Sequence, residues 1–99
     1  MKDIEVDELK ERLEKKDAFV FIDVREAYEY EDDNLGALNI PLAQLPNKLS
    51  EIENHKDDEI IIHCRSGARS GNAKQFLESK GYTKVRNVLG GLLAYRNLE

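Results

Sequence analysis

Two nearly continuous apolar runs punctuate an otherwise charged chain: "AFVFIDV", Ala18 to Val24, and "EIIIHC", Glu59 to Cys64. Both are rich in branched or aromatic residues and neither alternates with polar ones, which is how parallel strands covered on both faces read. "LNIPL" and "KVRNV" predict two weaker strands, and "DIEV" a short edge strand. Between them, "DELKERLEKK" places Leu9 and Leu13 at helical spacing, with Val6 just before and Asp7 as the expected N-cap. "PNKLSEIENH" predicts a short helix opened by Pro46 at its first position. "ARSGNAKQFLESKG" predicts a helix that begins near Arg69 or Ser70 and stops at Lys80 and Gly81. This alternation predicts an α/β domain with a mainly parallel, four- or five-stranded sheet and helices on both faces.

Ninety-nine residues are enough for one domain with one core, here residues 1–99, and the last two, Leu98 and Glu99, resemble a cloning-site remnant. With 40% apolar and 35% charged residues the chain is expected to be globular, neither disordered nor embedded in a membrane. The start, "MKDIEVDELKERL", is charged from its second residue and has no apolar export signal, so the cytoplasm is the expected location. A formal net charge of -5 turns the expectation away from nucleic acid and toward small anions or protein partners. One cysteine cannot form an internal disulfide, and with only two histidines it cannot build a Cys-based zinc site, so no metal is expected.

That cysteine is the centre of the candidate chemistry. Cys64 ends the second apolar run, and the loop "CRSGAR" leads from it into a helix. In open α/β sheets ligands bind outside the carboxyl ends of the strands. A tight curl of small residues before a helix N-terminus turns several backbone N–H groups around one point, a cradle for one negative charge. Those amides, the helix dipole, and the guanidinium groups of Arg65 and Arg69 favour a thiolate, so Cys64 is expected to be reactive near neutral pH. Gly67 suits a position needing unusual torsions, and Gly71, one turn into the helix, implies close packing.

Free cysteines usually serve as small buried hydrophobes, and Cys64 alone would be read that way. A strand end, a glycine, two arginines and a helix start within seven residues are company that a filler cysteine does not need. Arg69 at a helix N-terminus opposes the dipole, which argues for a nearby anion. Solvent exposure explains Arg65 as well as function does. His63 precedes Cys64 on a strand and points to the opposite face, a core histidine rather than a base. His55 reads as surface.

"CRSGARS" resembles the active-site loop of single-domain rhodaneses, sulfurtransferases whose pattern is Cys-x-x-Gly-x-Arg followed by Ser or Thr. "FIDVREAYEY" with "GALNIPL" is similar to two upstream signatures of that family, and "GYTKVRNVLGGLLAY" to its closing strand, glycine pair and final helix. The resemblance covers nearly the whole chain in order and implies a three-layer rhodanese-like fold. It implies that Cys64 is the sulfur-carrying nucleophile. Arg65, Ser66, Gly67, Ala68, Arg69 and Ser70 would form the cradle, and Asp23 and Arg25 would support the loop from the neighbouring strand end. The departure is at "EYEDDNLGALN", where rhodaneses read Gly-His-Ile-Pro-Gly-Ala. Here Asn34 and Leu35 lead straight to Gly36, one residue shorter and without the His and Pro.

The implied reaction takes sulfur from a small anionic donor such as thiosulfate to a thiol, cyanide or protein acceptor, with no organic cofactor. A cysteine phosphatase or arsenate reductase is an alternative, since it uses a similar loop. A binding module without chemistry is another. Only four residues separate Cys64 from Arg69, one fewer than in the phosphatase loops that resemble this one, which favours a persulfide over a whole oxyanion.

Overall fold

The computed structural model describes residues 1–98, so Glu99 of the suspected remnant lies outside the described residues. Four parallel strands, β1 (Val20–Asp23), β2 (Leu38–Asn39), β3 (Ile60–His63) and β4 (Val85–Asn87), form one sheet in the order β2-β1-β3-β4. The four α-helices are α1 (Val6–Glu14), α2 (Ala27–Asp32), α3 (Ala68–Ser79) and α4 (Gly91–Arg96). Two 3-10 segments, Leu42–Glu51 and Glu53–His55, link β2 to β3.

The two apolar runs are the central pair. Val20 lies opposite Ile60 and Asp23 opposite His63. Because strand side chains alternate, each run supplies two cores at once. Ile22, Val24, Ile60, Ile62 and Cys64 pack with Leu45, Ala73 and Leu77 on the side of α3 and the longer 3-10 segment. Ile61 joins Ile4, Leu9 and Val88, with Phe19, Phe21 and Tyr95 against them, on the side of α1 and α4. Each fully buried isoleucine contributes about 1.5–3 kcal/mol. A strand read as continuous apolar sequence thus becomes the middle of three layers.

Element ends differ from the sequence reading for local reasons. Helix α1 starts at Val6 with Glu5, not Asp7, at its N-cap, and Asp7 sits in the first turn where its charge suits the dipole. Pro46 lies inside the 3-10 segment instead of opening a helix, and the segment is interrupted at Lys48, whose φ of -119° is non-helical. "DIEV" contributes only one bridge, Ile4 to Val88, and "LNIPL" forms a strand over Leu38–Asn39 alone. Helix α3 begins at Ala68, slightly earlier than expected, and the chain turns away at Gly81 with φ +94°. Helix α2 has no counterpart in the sequence reading.

Candidate active site

Cys64 follows β3 directly and is only 1% exposed. Its β-carbon side belongs to the α3 core, and its sulfur faces the start of α3. Gly67 occupies the N-cap of that helix with φ +107°, a conformation an L side chain resists. No side chain oxygen caps α3. The sulfur does so instead: Gly67 N–H donates to Sγ at 3.1 Å and Ser70 N–H at 3.4 Å, with the Ser70 hydroxyl 3.3 Å away. Burial pushes the Cys64 thiol up. The Ser70 hydroxyl and the amides of Ser70, Gly67 and Ser66 more than offset this, and the thiol lies below its ordinary value.

The carbonyls of the same loop point the other way. Leu92 N–H donates to the Cys64 carbonyl and Leu93 N–H to that of Arg65, both at 3.0 Å. The first turn of α4 therefore satisfies the loop's acceptors while the loop's donors converge on sulfur. This fit depends on Gly91, at φ +58°, because a β-carbon there would stand 2.5 Å from the Arg65 carbonyl oxygen and 2.6 Å from that of Cys64. Gly71 is different. A β-carbon would meet only the Asn87 amide nitrogen at 3.5 Å, an ordinary contact, so close packing does not demand glycine there.

The remaining residues singled out from the sequence form a chain of supports. Asp23 and Arg25 are both buried and paired, with Arg25 Nη2 2.8 Å from Asp23 Oδ2. Arg25 also donates to the carbonyls of Glu29 (3.3 Å) and Asp33 (2.6 Å), so this pair holds α2 and does not bond the cysteine loop directly. Helix α2 in turn presents Glu29, whose carboxylate takes both arms of Arg69 at 2.6 and 3.0 Å. The anion that Arg69 called for is thus a protein carboxylate. Arg69 holds Glu29 far below the usual carboxylate range, at about 2. Arg65, Ser66 and Ala68 are exposed at the loop's outer side, and Ser70 is buried against the sulfur.

His63 is fully buried on the opposite face from Cys64. Its Nδ1 is 3.2 Å from the Cys64 carbonyl and its ring packs on Phe21. Burial lowers its pKa, as expected of a neutral core histidine. His55 is paired with Asp58 near the surface.

Beside the loop opens a cleft of about 530 Å³. Arg25, Arg65 and Arg96 line it, as do Glu29, Asp32 and Asp33, so its formal charges balance. Tyr28, Leu92 and Leu93 supply apolar wall. Asp33 is tied across to Arg96 at 2.6 and 3.0 Å, joining the end of α2 to α4. Glu31 does not line the cleft. Two further site residues carry no local signal in the sequence: Glu29, and Asn87 in "KVRNV", which accepts from Ser70. Among the described residues no cluster of His, Cys, Asp and Glu could hold a metal ion.

The model of the rhodanese-like domain family matches residues 5–98. A sulfurtransferase of Allochromatium vinosum is 35% identical over 94 residues, 94% of this chain and 86% of its own. Thiosulfate sulfurtransferase PspE of Escherichia coli K12 is 38% identical over 73 residues, 73% of this chain and 69% of its own. The tRNA uridine(34) hydroxylase of Cronobacter sakazakii is 38% identical over 93 residues, but this chain spans only 26% of its length. Among solved structures, a rhodanese-like domain protein from Staphylococcus aureus superposes with a TM-score of 0.86 at 32% identity, covering 100% of this chain and 97% of that one. With the fold, the loop and these relatives in agreement, the chain belongs to the rhodanese-like domain family.

Proposed function

We propose that this protein is a sulfurtransferase that carries sulfane sulfur as a persulfide on Cys64. The observation that carries this reading is the sulfur's position as the N-terminal cap of α3, with the Gly67 and Ser70 amides aimed at it. The Cys64 thiolate attacks the outer sulfur of a donor such as thiosulfate. A bond forms between Sγ and that sulfur, the bond to the sulfite sulfur breaks, and sulfite leaves with the electron pair. An acceptor thiolate or cyanide then attacks the outer sulfur, and the bonding pair returns to Sγ as thiolate. The amide ring stabilises the anionic sulfur at each stage, and removing one such donor in other enzymes costs roughly 3 to 4 kcal/mol of barrier.

Intact mass measurement after incubation with thiosulfate is expected to show the gain of one sulfur atom. Addition of a thiol or cyanide removes it, and Cys64→Ser never acquires it. The short loop disfavours the phosphatase alternative, because a tetrahedral oxyanion needs the whole amide ring and both arms of the arginine, and Arg69 gives its arms to Glu29. The presence of Cys64 in its cradle argues against a purely binding module. Hydrolysis of an aryl phosphate through Cys64, with no persulfide from any sulfane-sulfur donor, would overturn the proposal.

A further inference from the structure

Ser70 has one hydroxyl proton and two acceptors within reach. Asn87 Oδ1 lies 2.6 Å from Ser70 Oγ, and Cys64 Sγ lies 3.3 Å from it. Both residues are buried, at 0% and 7% exposure, so water cannot supply a second proton. The orientation of the Asn87 amide is fixed by its other end. Nδ2 donates to the Gly67 carbonyl at 3.1 Å, and the flipped amide would set two acceptors against each other there. Oδ1 must therefore face Ser70. Asn87 is itself held by the chain's start, its backbone N–H donating to Asp3 Oδ1 at 3.0 Å and its carbonyl accepting from Ile4 N–H at 3.0 Å.

We propose that Asn87 is a positioning residue for the nucleophile: by competing at 2.6 Å for the single Ser70 proton it weakens the hydroxyl's hydrogen bond to Cys64 Sγ and so moderates the thiolate. Nothing in the sulfur-transfer chemistry requires the strongest possible cradle. A thiolate stabilised too far becomes a poorer nucleophile, because intrinsic reactivity falls with basicity, and the best attacking thiol has a pKa near ambient pH. Once the outer sulfur is attached, Sγ carries no charge and draws less on the Ser70 proton. The arrangement thus moderates the free thiolate.

The charged groups around Cys64 leave this effect readable. Arg65 lies on its own loop, Arg69 on α3 is paired with Glu29 on α2, and Asp23, Arg25 and His63 lie at the strand ends behind it. At the far rim of the cleft, Asp33 and Arg96 neutralise each other. From β4, Arg86 pairs with Glu8 and Glu59. None of these groups bonds to the Asn87 side chain, so removing that side chain changes only the Ser70 proton and the Gly67 carbonyl.

The role of Cys64 in sulfur transfer gives the proposal its purpose, but alkylation reads the thiol directly and keeps the two separable. The experiment is a pH profile of iodoacetamide labelling for wild type, Asn87→Ala, Ser70→Ala and the double variant. A full hydrogen bond to a charged group is worth about one to two pH units. We expect Asn87→Ala to lower the Cys64 midpoint, and its plateau rate at high pH to fall by about threefold for each unit of lowering. Ser70→Ala is expected to raise the midpoint by less than about half a unit in wild type and by about one unit or more in the Asn87→Ala background. If Asn87 only braces the Gly67 turn, Asn87→Ala loosens the cradle and the midpoint rises, which overturns the proposal, as does equal action of Ser70→Ala in both backgrounds. Should Asn87→Ala fail to fold, Ser70→Ala alone decides: a rise of a unit or more in wild type shows that Ser70 already donates fully to sulfur and overturns it. Loss of persulfide formation with these alkylation shifts intact would count against the sulfur-transfer reading and not against this one.

Discussion

Glu29 and Arg69 stand 40 positions apart and form a two-armed ion pair, at 2.6 and 3.0 Å, beside the loop that holds Cys64. The guanidinium at the entrance to α3 is therefore already neutralised before any substrate arrives. Glu29→Gln keeps the reciprocal cap with the Glu26 backbone, since glutamine can fill that role, but removes the charge. The KM for thiosulfate is expected to fall by roughly three- to tenfold at low ionic strength and to converge on wild type as salt rises. The stability cost is expected to be about 1 kcal/mol. Steady-state kinetics over a salt series checks this, and an unchanged KM would place Arg69 outside the donor's reach.

The acids of the shortened connection act unequally. Asp33 is committed to Arg96, while Asp32 lines the cleft with no ion pair among the described residues. Asp32→Asn is expected to lower thiosulfate KM modestly at low salt by removing one repelling charge. Asp33→Asn is expected to lower it further, because it also releases the Arg96 cation. Glu31→Gln, away from the cleft, serves as the control and is expected to leave KM in place.

Two glycines that look alike in sequence are expected to respond in opposite ways. Gly91→Ala puts a methyl into the Cys64 and Arg65 carbonyls at a positive φ, and is expected to destabilise by at least about 2 kcal/mol and to raise the alkylation midpoint of Cys64 as the loop shifts. Gly71→Ala meets open helix geometry and one ordinary contact, and is expected to be neutral or to stabilise by up to about 1 kcal/mol. Urea unfolding of the two variants distinguishes them.

Stability is expected to decline on acidification in two windows. His63 is buried with a lowered pKa, so the unfolded chain takes up a proton first, and stability falls as pH drops below the unfolded histidine value of 6.5. Glu29 falls from 4.5 to about 2, so its contribution is complete above pH 4.5 and lost as pH falls toward 2, with no more than about 2 kcal/mol at stake given its partly exposed partner. Thermal melts across this range check both. In His63→Leu the upper window is expected to flatten, and in Glu29→Gln the lower one to shrink, while the carboxylates of Asp3, Asp33 and Glu59, also lowered by their cationic partners, keep the rest of it.

The parts of this fold that were legible in sequence are those whose cause is contiguous. The β1 and β3 runs, the α3 stop at Gly81 and the cysteine loop each announce themselves within about a dozen residues. Helix α2 did not, because it is six residues long with none buried, so no apolar period marks it, and its cap is Glu26, outside the usual Ser, Thr, Asp and Asn. Pro46 suggested a helix start because proline suits that place, but a 3-10 segment broken at Lys48 accommodates it internally. Glu29 and Asn87 gain their roles from partners 40 and 17 positions away, distances over which single-sequence patterns carry no information.

The clasp of the chain's first residues on β4 has a consequence for the order in which this protein assembles. Asp3 and Asn87 lie 84 positions apart, and their bond, with those of Ile4 to Asn87 and Leu89, closes the longest loop in the described chain. Loop closure of that span carries an entropic cost that local contacts do not share, and contacts of high sequence separation slow folding. This clasp on Asn87, unlike its bonds to Ser70 and Gly67, is expected to form only after β1, β3, β4 and α3 have found one another. In a refolding time course, burial of the isoleucine core is expected to precede the final reactivity of the thiol, so that the protein becomes compact before it becomes chemically competent.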